Sequence, residues 1–233
     1  MINVKVTTRG VKLVSDYLKN LEKQSRFATS VAMNKTVFKV REDVQQEMKR
    51  VFDNPTRYTL NSIRYKKSTK ANLSADVHIA DEAFKGIPPI KWLSPNIFGG
   101  VRPLKRSEMH LRRSGLLPTN SYIVPGKGLR RNKFGNVSKG QINKILSNVR
   151  AQNDPYQNTP HGRGTSYFSG TIKGTQGIWE RRGRKVRPAL IYTKRAPKYR
   201  SIFEFHTVAS KSADKHWPRE IEKAIDYAIR TAK

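Results

Sequence analysis

Gly177-Ile178-Trp179-Glu180-Arg181-Arg182-Gly183-Arg184-Lys185-Val186-Arg187-Pro188-Ala189-Leu190-Ile191-Tyr192-Thr193 is the stretch that keeps this chain from reading as an all-helical protein. Gly177 to Arg182 and Val186 to Thr193 read as two strands about a turn at Gly183, since apolar and aromatic residues flank a glycine at hairpin spacing. Five bases crowd the turn: Arg181, Arg182, Arg184, Lys185 and Arg187. Lys194, Arg195, Lys198 and Arg200 follow, so residues 181–200 hold nine bases and no acid. A hairpin tip of this kind reaches phosphates without any base-specific geometry.

Downstream, Ser201 to Val208 reads as helical after Pro197. A closing helix is then expected from Pro218, which suits the first helical position. Glu220 and Glu222 favour its positive first turn, and Ile221, Ala224, Ile225 and Ala228 form its stripe. Upstream, residues 151–177 are rich in Gly, Ser, Thr, Asn and Gln and read as one long loop, a functional segment or an assembly arm. Ser138 is a suitable N-cap for a helix from Lys139 to about Arg150, with Ile142, Ile145, Leu146 and Val149 on one face. Residues 82–135 are the least regular. They predict short helices around Ile90 to Phe98 and Leu104 to Arg113, and a strand at Ser121 to Val124.

Farther out, Ile63 to Lys66 and Ala75 to Ile79 alternate as strands joined by polar Ser68 to Asn72. A long helix is expected from about Gln24 to Phe52. Val37, Val40, Val44, Met48 and Val51 make its stripe, Phe27, Val31 and Phe38 extend that face, and Asp53-Asn54-Pro55 ends it. A separate helical segment carrying Val11, Leu13, Val14, Leu18 and Leu21 precedes it, after a strand at Ile2, Val4 and Val6. The expected fold class is therefore α+β: a long N-terminal helix, a small antiparallel sheet with the basic hairpin, a closing C-terminal helix and an extended loop-rich insertion. Residues 1–81 and 177–233 are expected to form one domain, with 82–176 as a basic insertion. The other arrangement open to this pattern is a helical arm carrying a separate β module.

Charge is distributed unevenly over these segments. The chain of 233 residues carries a formal net charge of +30, and between Lys85 and Arg200 there are 25 Lys or Arg residues against three acids, Glu108, Asp154 and Glu180. Residues 1–53 hold 11 bases and 6 acids, and residues 201–233 hold 6 and 5. Balanced ends can pack as a scaffold, whereas the middle repels itself unless an anion lies nearby. A long polyanion, nucleic acid above all, is the natural partner. The candidate contact residues are Arg102, Lys105, Arg106, Arg112 and Arg113 around a short helix. Arg130, Arg131 and Lys133 join them from a Gly-rich turn, and Arg181, Arg182, Arg184, Lys185, Arg187, Lys194 and Arg195 from the hairpin. No helix-turn-helix or finger pattern and no aromatic platform appears, so sequence-specific reading is not expected.

Catalytic chemistry finds little support. Glu42, Asp43 and Glu47 read as a solvated helix face beside Lys39 and Arg50. His78, His110, His161, His206 and His216 have no zinc-type spacing, and no cysteine exists to complete a metal site or a disulfide. The glycines at 162, 164, 170, 174 and 177 form neither a P-loop nor a strand-linked dinucleotide fingerprint. Met1 to Thr8 lacks an apolar leader core, and no apolar run approaches the length of a membrane span. No catalytic residue, cofactor, metal or membrane partner is therefore expected.

Ala28-Thr29-Ser30-Val31-Ala32-Met33-Asn34-Lys35-Thr36 resembles the start of bacteriophage minor tail protein Z, a family of basic α+β virion proteins. Trp179 to Lys194, a basic hairpin running into Arg187-Pro188-Ala189-Leu190-Ile191-Tyr192, looks like the strand pair of that family. Asn54-Pro55-Thr56-Arg57-Tyr58-Thr59-Leu60-Asn61-Ser62 is similar to prophage tail proteins. The likeness covers the two ends of the chain. It implies a non-enzymatic tail-completion or neck protein, made in the host cytoplasm and located in the virion. Such a protein forms a homo-oligomeric ring of about six or twelve copies beside portal, adaptor or tube proteins, and possible contact with genomic DNA follows from its charge. Two other readings stand beside it: a soluble non-specific nucleic-acid-binding protein, and a DNA-processing enzyme whose carboxylates the sequence does not supply.

Overall fold

The computed structural model describes residues 9–84, 86–160 and 166–231, with side chains from Glu22 onward. Its elements run α1 (Arg9–Val51), α2 (Arg57–Leu60), β1 (Ile63–Lys66), β2 (Asp76–Ile79), α3 (Pro89–Phe98), β3 (Gly100–Val101) and α4 (Arg106–Arg113). They continue with β4 (Tyr122–Pro125), α5 (Lys139–Asn148), a 3-10 turn (Pro155–Gln157), β5 (Tyr167–Ile172), β6 (Thr175–Arg182), β7 (Lys185–Thr193), β8 (Lys198–Tyr199) and α6 (Phe205–Thr231). The fold is α+β. The expected strand at Ile2 to Val6 lies outside the described residues.

The chain divides into two compact units, one of residues 1–90 with 202–233, the other of residues 91–201. This moves the expected boundaries. The basic hairpin belongs to the central unit and not with the termini, because β7 pairs on one side with β6 and on the other with β4, whose residues precede it by more than sixty positions.

In the terminal unit, α1 is one helix of 43 residues where two were expected. No proline or glycine interrupts it after Gly10. It ends where Asn54 takes a positive φ of 46° ahead of Pro55. Helix α6 packs along it. The buried seam is Ala28 and Ala32 of α1 against Ala224 of α6, with Ile221 and Ala228 beside them. Small side chains let the two backbones approach, whereas Phe27 and Phe38, expected on the buried face, are 42% and 41% exposed. Phe38 meets Tyr65 edge-on at 6.2 Å, and the Lys70 ammonium sits 4.7 Å from the Phe27 ring. Val40, Val44 and Met48 are buried as the stripe predicted.

Polar ties hold the same helices. Lys39 Nζ lies 2.6 Å from Glu220, Ser212 Oγ donates to Asp43 at 2.7 Å, and His216 Nε2 lies 3.0 Å from the same carboxylate. Asp43 therefore joins two helices where a solvated face was expected, whereas Glu47 pairs with Arg50 on the surface. Asn34 fixes the connection between β1 and β2. Its Oδ1 accepts from Ser68 N at 2.8 Å and its Nδ2 donates to Ser68 O at 3.0 Å. Strands β1 and β2 pair antiparallel, Ile63 opposite Ile79.

Helix α6 was expected to begin at Pro218. It begins at Phe205 and carries Pro218 inside. An internal proline forfeits one backbone hydrogen bond, roughly 3 kcal/mol. The anchoring of Ser212 and His216 on Asp43, one turn before the proline, opposes a break there.

In the central unit, an antiparallel sheet of order β4-β7-β6-β5 carries α4 and α5 on one face. Leu111 of α4, Ile145 and Leu146 of α5, Ile123, Tyr167, Ile178 and Leu190 form its core. Ser138 caps α5 as predicted, accepting from Gln141 N. Of the long loop expected over 151–177, residues 151–160 are loop around the 3-10 turn, whereas 167–177 form β5 and the start of β6. Lys173 and Gly174, with φ of 49° and 74°, make the two-residue turn between Ile172 and Thr175, a geometry that suits the twist of a hairpin. Its Ser-Gly-Thr composition hides strand character that only pairing with β6 reveals. Strand β8, which pairs with β3, was not expected from the sequence.

Candidate polyanion-binding surface

The acids of the central unit decide what its bases are free to do. Glu108 is fully buried at the start of α4. Its carboxylate accepts two bonds from the Arg102 guanidinium at 2.8 and 2.6 Å, one from Lys105 N at 2.7 Å and one from Ile123 N at 2.9 Å. Burial opposes its charge, yet the guanidinium and the two backbone donors outweigh burial and hold the carboxyl below its usual range. Glu180 is also buried, taking Tyr167 Oη at 3.1 Å and Arg182 Nε at 3.2 Å. Asp154 caps the 3-10 turn, accepting from Tyr156 N at 3.0 Å and Gln157 Nε2 at 3.2 Å. All three acids of residues 91–201 are thus used by the fold, against 24 Lys and Arg in that unit.

The candidate bases then separate. Arg102 is structural, only 10% exposed and locked to Glu108. Arg112 donates to Ser121 O at 2.9 Å, and both guanidiniums lie 5.8 Å from the Tyr122 ring. Neither presents itself to a polyanion as expected, because each serves the join of α4 to β4. Arg113 is exposed and bonds Asn153. Arg106 is exposed in the first turn of α4, and Lys133 lies beside the Phe134 ring.

The remaining bases sort to the two ends of the sheet by strand register. Arg182 pairs opposite Lys185 and Arg181 opposite Val186, so Gly183 and Arg184 are the whole turn, with Gly183 at φ 57°. Beyond β4 the chain continues beside β7 toward that same end: Gly126 N donates to Ala189 O at 2.8 Å and Gly128 N to Pro188 O at 2.9 Å. A Cβ on Gly126 would fall 2.2 Å from Pro188 O, so only glycine permits the approach. This run brings Lys127 beside the Arg187 end of the hairpin, which carries Arg181, Arg182, Arg184 and Lys185, whereas Arg131 lines a cavity over Ile123 and Leu190. Lys194 and Arg195 follow Thr193, which pairs with Tyr122 at the opposite end, so they do not join that group.

Pro188 sits in a central strand opposite Trp179, beside the bulge that shifts the register between Ile178 and Trp179, a position where strand prolines are tolerated. The Arg181 guanidinium lies over the Phe168 ring, 5.2 Å from its centroid, a cation–π contact that steadies it. Sequence reasoning missed Phe168 and Lys127. Phe168 was hidden in the presumed loop, whereas the Gly126-Lys127-Gly128 pattern was a readable sign of close backbone approach.

Among the described residues, no three His, Cys, Asp or Glu side chains come together as a metal site, and no helix is long and apolar enough to cross a membrane. No protein-family model, curated protein or solved structure matches the chain.

Proposed function

We propose that this chain is a non-enzymatic structural protein of a phage virion, a tail-completion or neck component, whose central unit lays a basic sheet end against a polyanion. The observation that carries the polyanion half is the internal use of Glu108, Asp154 and Glu180, which leaves the hairpin-tip bases other than Arg182 uncompensated. A mobile surface acid would have neutralised part of it. Exposed guanidiniums on a two-residue turn bind phosphates by charge and reach, with no base readout.

The virion half rests on the resemblance of residues 28–36, 54–62 and 179–194 to tail proteins, and a ring of copies fits it. Helix α6 adds support, since Ile225 and Ile229 stand 46% and 69% exposed one turn apart, an apolar edge suited to burial by another copy. The test is mass spectrometry of density-purified particles from the parent culture. A fixed copy number near six or twelve supports the proposal. Absence from particles, with the protein abundant in the lysate, overturns it in favour of a free nucleic-acid-binding protein.

A further inference from the structure

Beside the hairpin, the central unit holds a cavity of about 510 Å³, within the size range of small-molecule sites. Its floor is apolar: Ile123 of β4, Leu190 of β7 and Ile142 of α5. Its polar lining is Lys105, Ser107, Arg131 and Asn136. No acid lines it. Glu108, close in sequence, is turned inward and saturated by Arg102 and two backbone N–H groups. Neither Lys105 nor Arg131 makes an ion pair among the described residues. Desolvation and the neighbouring Arg102 charge push the Lys105 ammonium down from its ordinary value by more than the Glu108 carboxylate raises it. The amino end of α4 adds little, because Glu108 already caps it.

We infer that this cavity binds a nucleoside monophosphate unit, with the phosphate between Lys105 and Arg131 and the base and sugar over Ile123, Ile142 and Leu190. Two cations with a hydroxyl and an amide fit the several oxygens of one phosphate. The apolar floor fits a body that free phosphate lacks. The unit is supplied either by a free nucleotide or by the end of a DNA strand. This inference rests on the polyanion reading of the central unit and narrows it to one site.

The test is calorimetric titration of the full chain at low salt with dAMP, deoxyadenosine, inorganic phosphate, and one oligonucleotide with and without a 5′-phosphate. The expected result is 1:1 binding of dAMP, with deoxyadenosine and phosphate weaker by about tenfold or more. Lys105→Ala, Arg131→Ala and Asn136→Asp each weaken dAMP by about tenfold, while Lys105→Arg retains it. Asn136 is exposed, so Asn136→Asp changes the rim charge without disturbing the core. Tighter binding of the 5′-phosphorylated oligonucleotide identifies the strand end as the source, and equal binding identifies the free nucleotide. No dAMP binding, dAMP affinity unmoved by all three variants, or phosphate binding as tightly as dAMP overturns the inference. Duplex DNA separates the two readings. If it binds and dAMP does not, the cavity proposal alone falls; if dAMP binds and duplex does not, the polyanion reading of the hairpin falls and the cavity stands.

Discussion

Acids of the terminal unit face bases across its two long helices, Lys39 to Glu220 and Asp43 to His216, and both pairs keep some exposure. Acids of the central unit are fewer and deeper. Glu108 and Glu180 are buried and turned toward the fold, so apart from Arg102 and Arg182, which they hold, the bases outside them have no carboxylate counterpart. The same residue types thus do different work. In the terminal unit opposite charges hold helices together. In the central unit the acids are withdrawn, and a one-signed surface remains to attract an anion.

The sharpest way to break this contrast is Glu108→Ala. It strands the nearly buried Arg102 guanidinium and two backbone donors, and stability is expected to fall by roughly 3–5 kcal/mol in denaturant unfolding. The paired replacement Arg102→Leu with Glu108→Leu is expected to recover much of that loss, though Lys105 N and Ile123 N stay unsatisfied. Because the folded carboxyl titrates below its usual range, its contribution is present above the unfolded carboxylate range and is lost as pH falls through the folded value. A Glu108 variant as stable as the parent at neutral pH would contradict the central role given to this acid.

Next in size is charge reversal at the hairpin tip. Arg184→Glu, Lys185→Glu and Arg187→Glu together are expected to weaken duplex DNA binding on the order of 100-fold at low salt and to flatten the salt slope by about three units. Folding should shift by no more than about 0.5 kcal/mol, as these side chains are exposed. Unchanged affinity in a fluorescence-anisotropy titration would mean that the tip does not touch DNA.

Within the terminal unit, Ala32→Leu forces a larger side chain into a fully buried seam and is expected to cost about 1–3 kcal/mol, read as a lower melting temperature. The smallest effect belongs to Asp43→Asn, about 0.5 kcal/mol, since that carboxylate is 41% exposed and solvent screens it. Burial opposes the Asp43 charge, but Ser212 and His216 outweigh it and lower its pKa. The difference from the parent should therefore be present near neutral pH and close as pH falls below about 4. A gap that persists in acid would show a steric and not an ionic cause.

Much of the secondary structure was legible because it obeys local rules. Ser138 capped its helix, Asn54 and Pro55 ended theirs, and Gly183 turned the basic hairpin. The misses share one cause. Pro218 looked like a helix start and Lys173-Gly174 like loop, because propensity describes a residue apart from its partners. Asp43 and the register with β6 overrode it. Of the candidate site, the hairpin bases were readable from charge alone, whereas Arg102 and Arg112 were not separable from them until Glu108 and Tyr122 stood beside them.

The α+β class, the hairpin and the excess of positive charge follow from neighbours along the chain and could be read there. Only the tertiary structure decided which bases remain available, which end of the sheet gathers them, and that every central acid is consumed by the fold. Those outcomes depend on contacts such as Glu108 with Ile123 and Gly126 with Ala189, between residues far apart in sequence, where no local pattern records them.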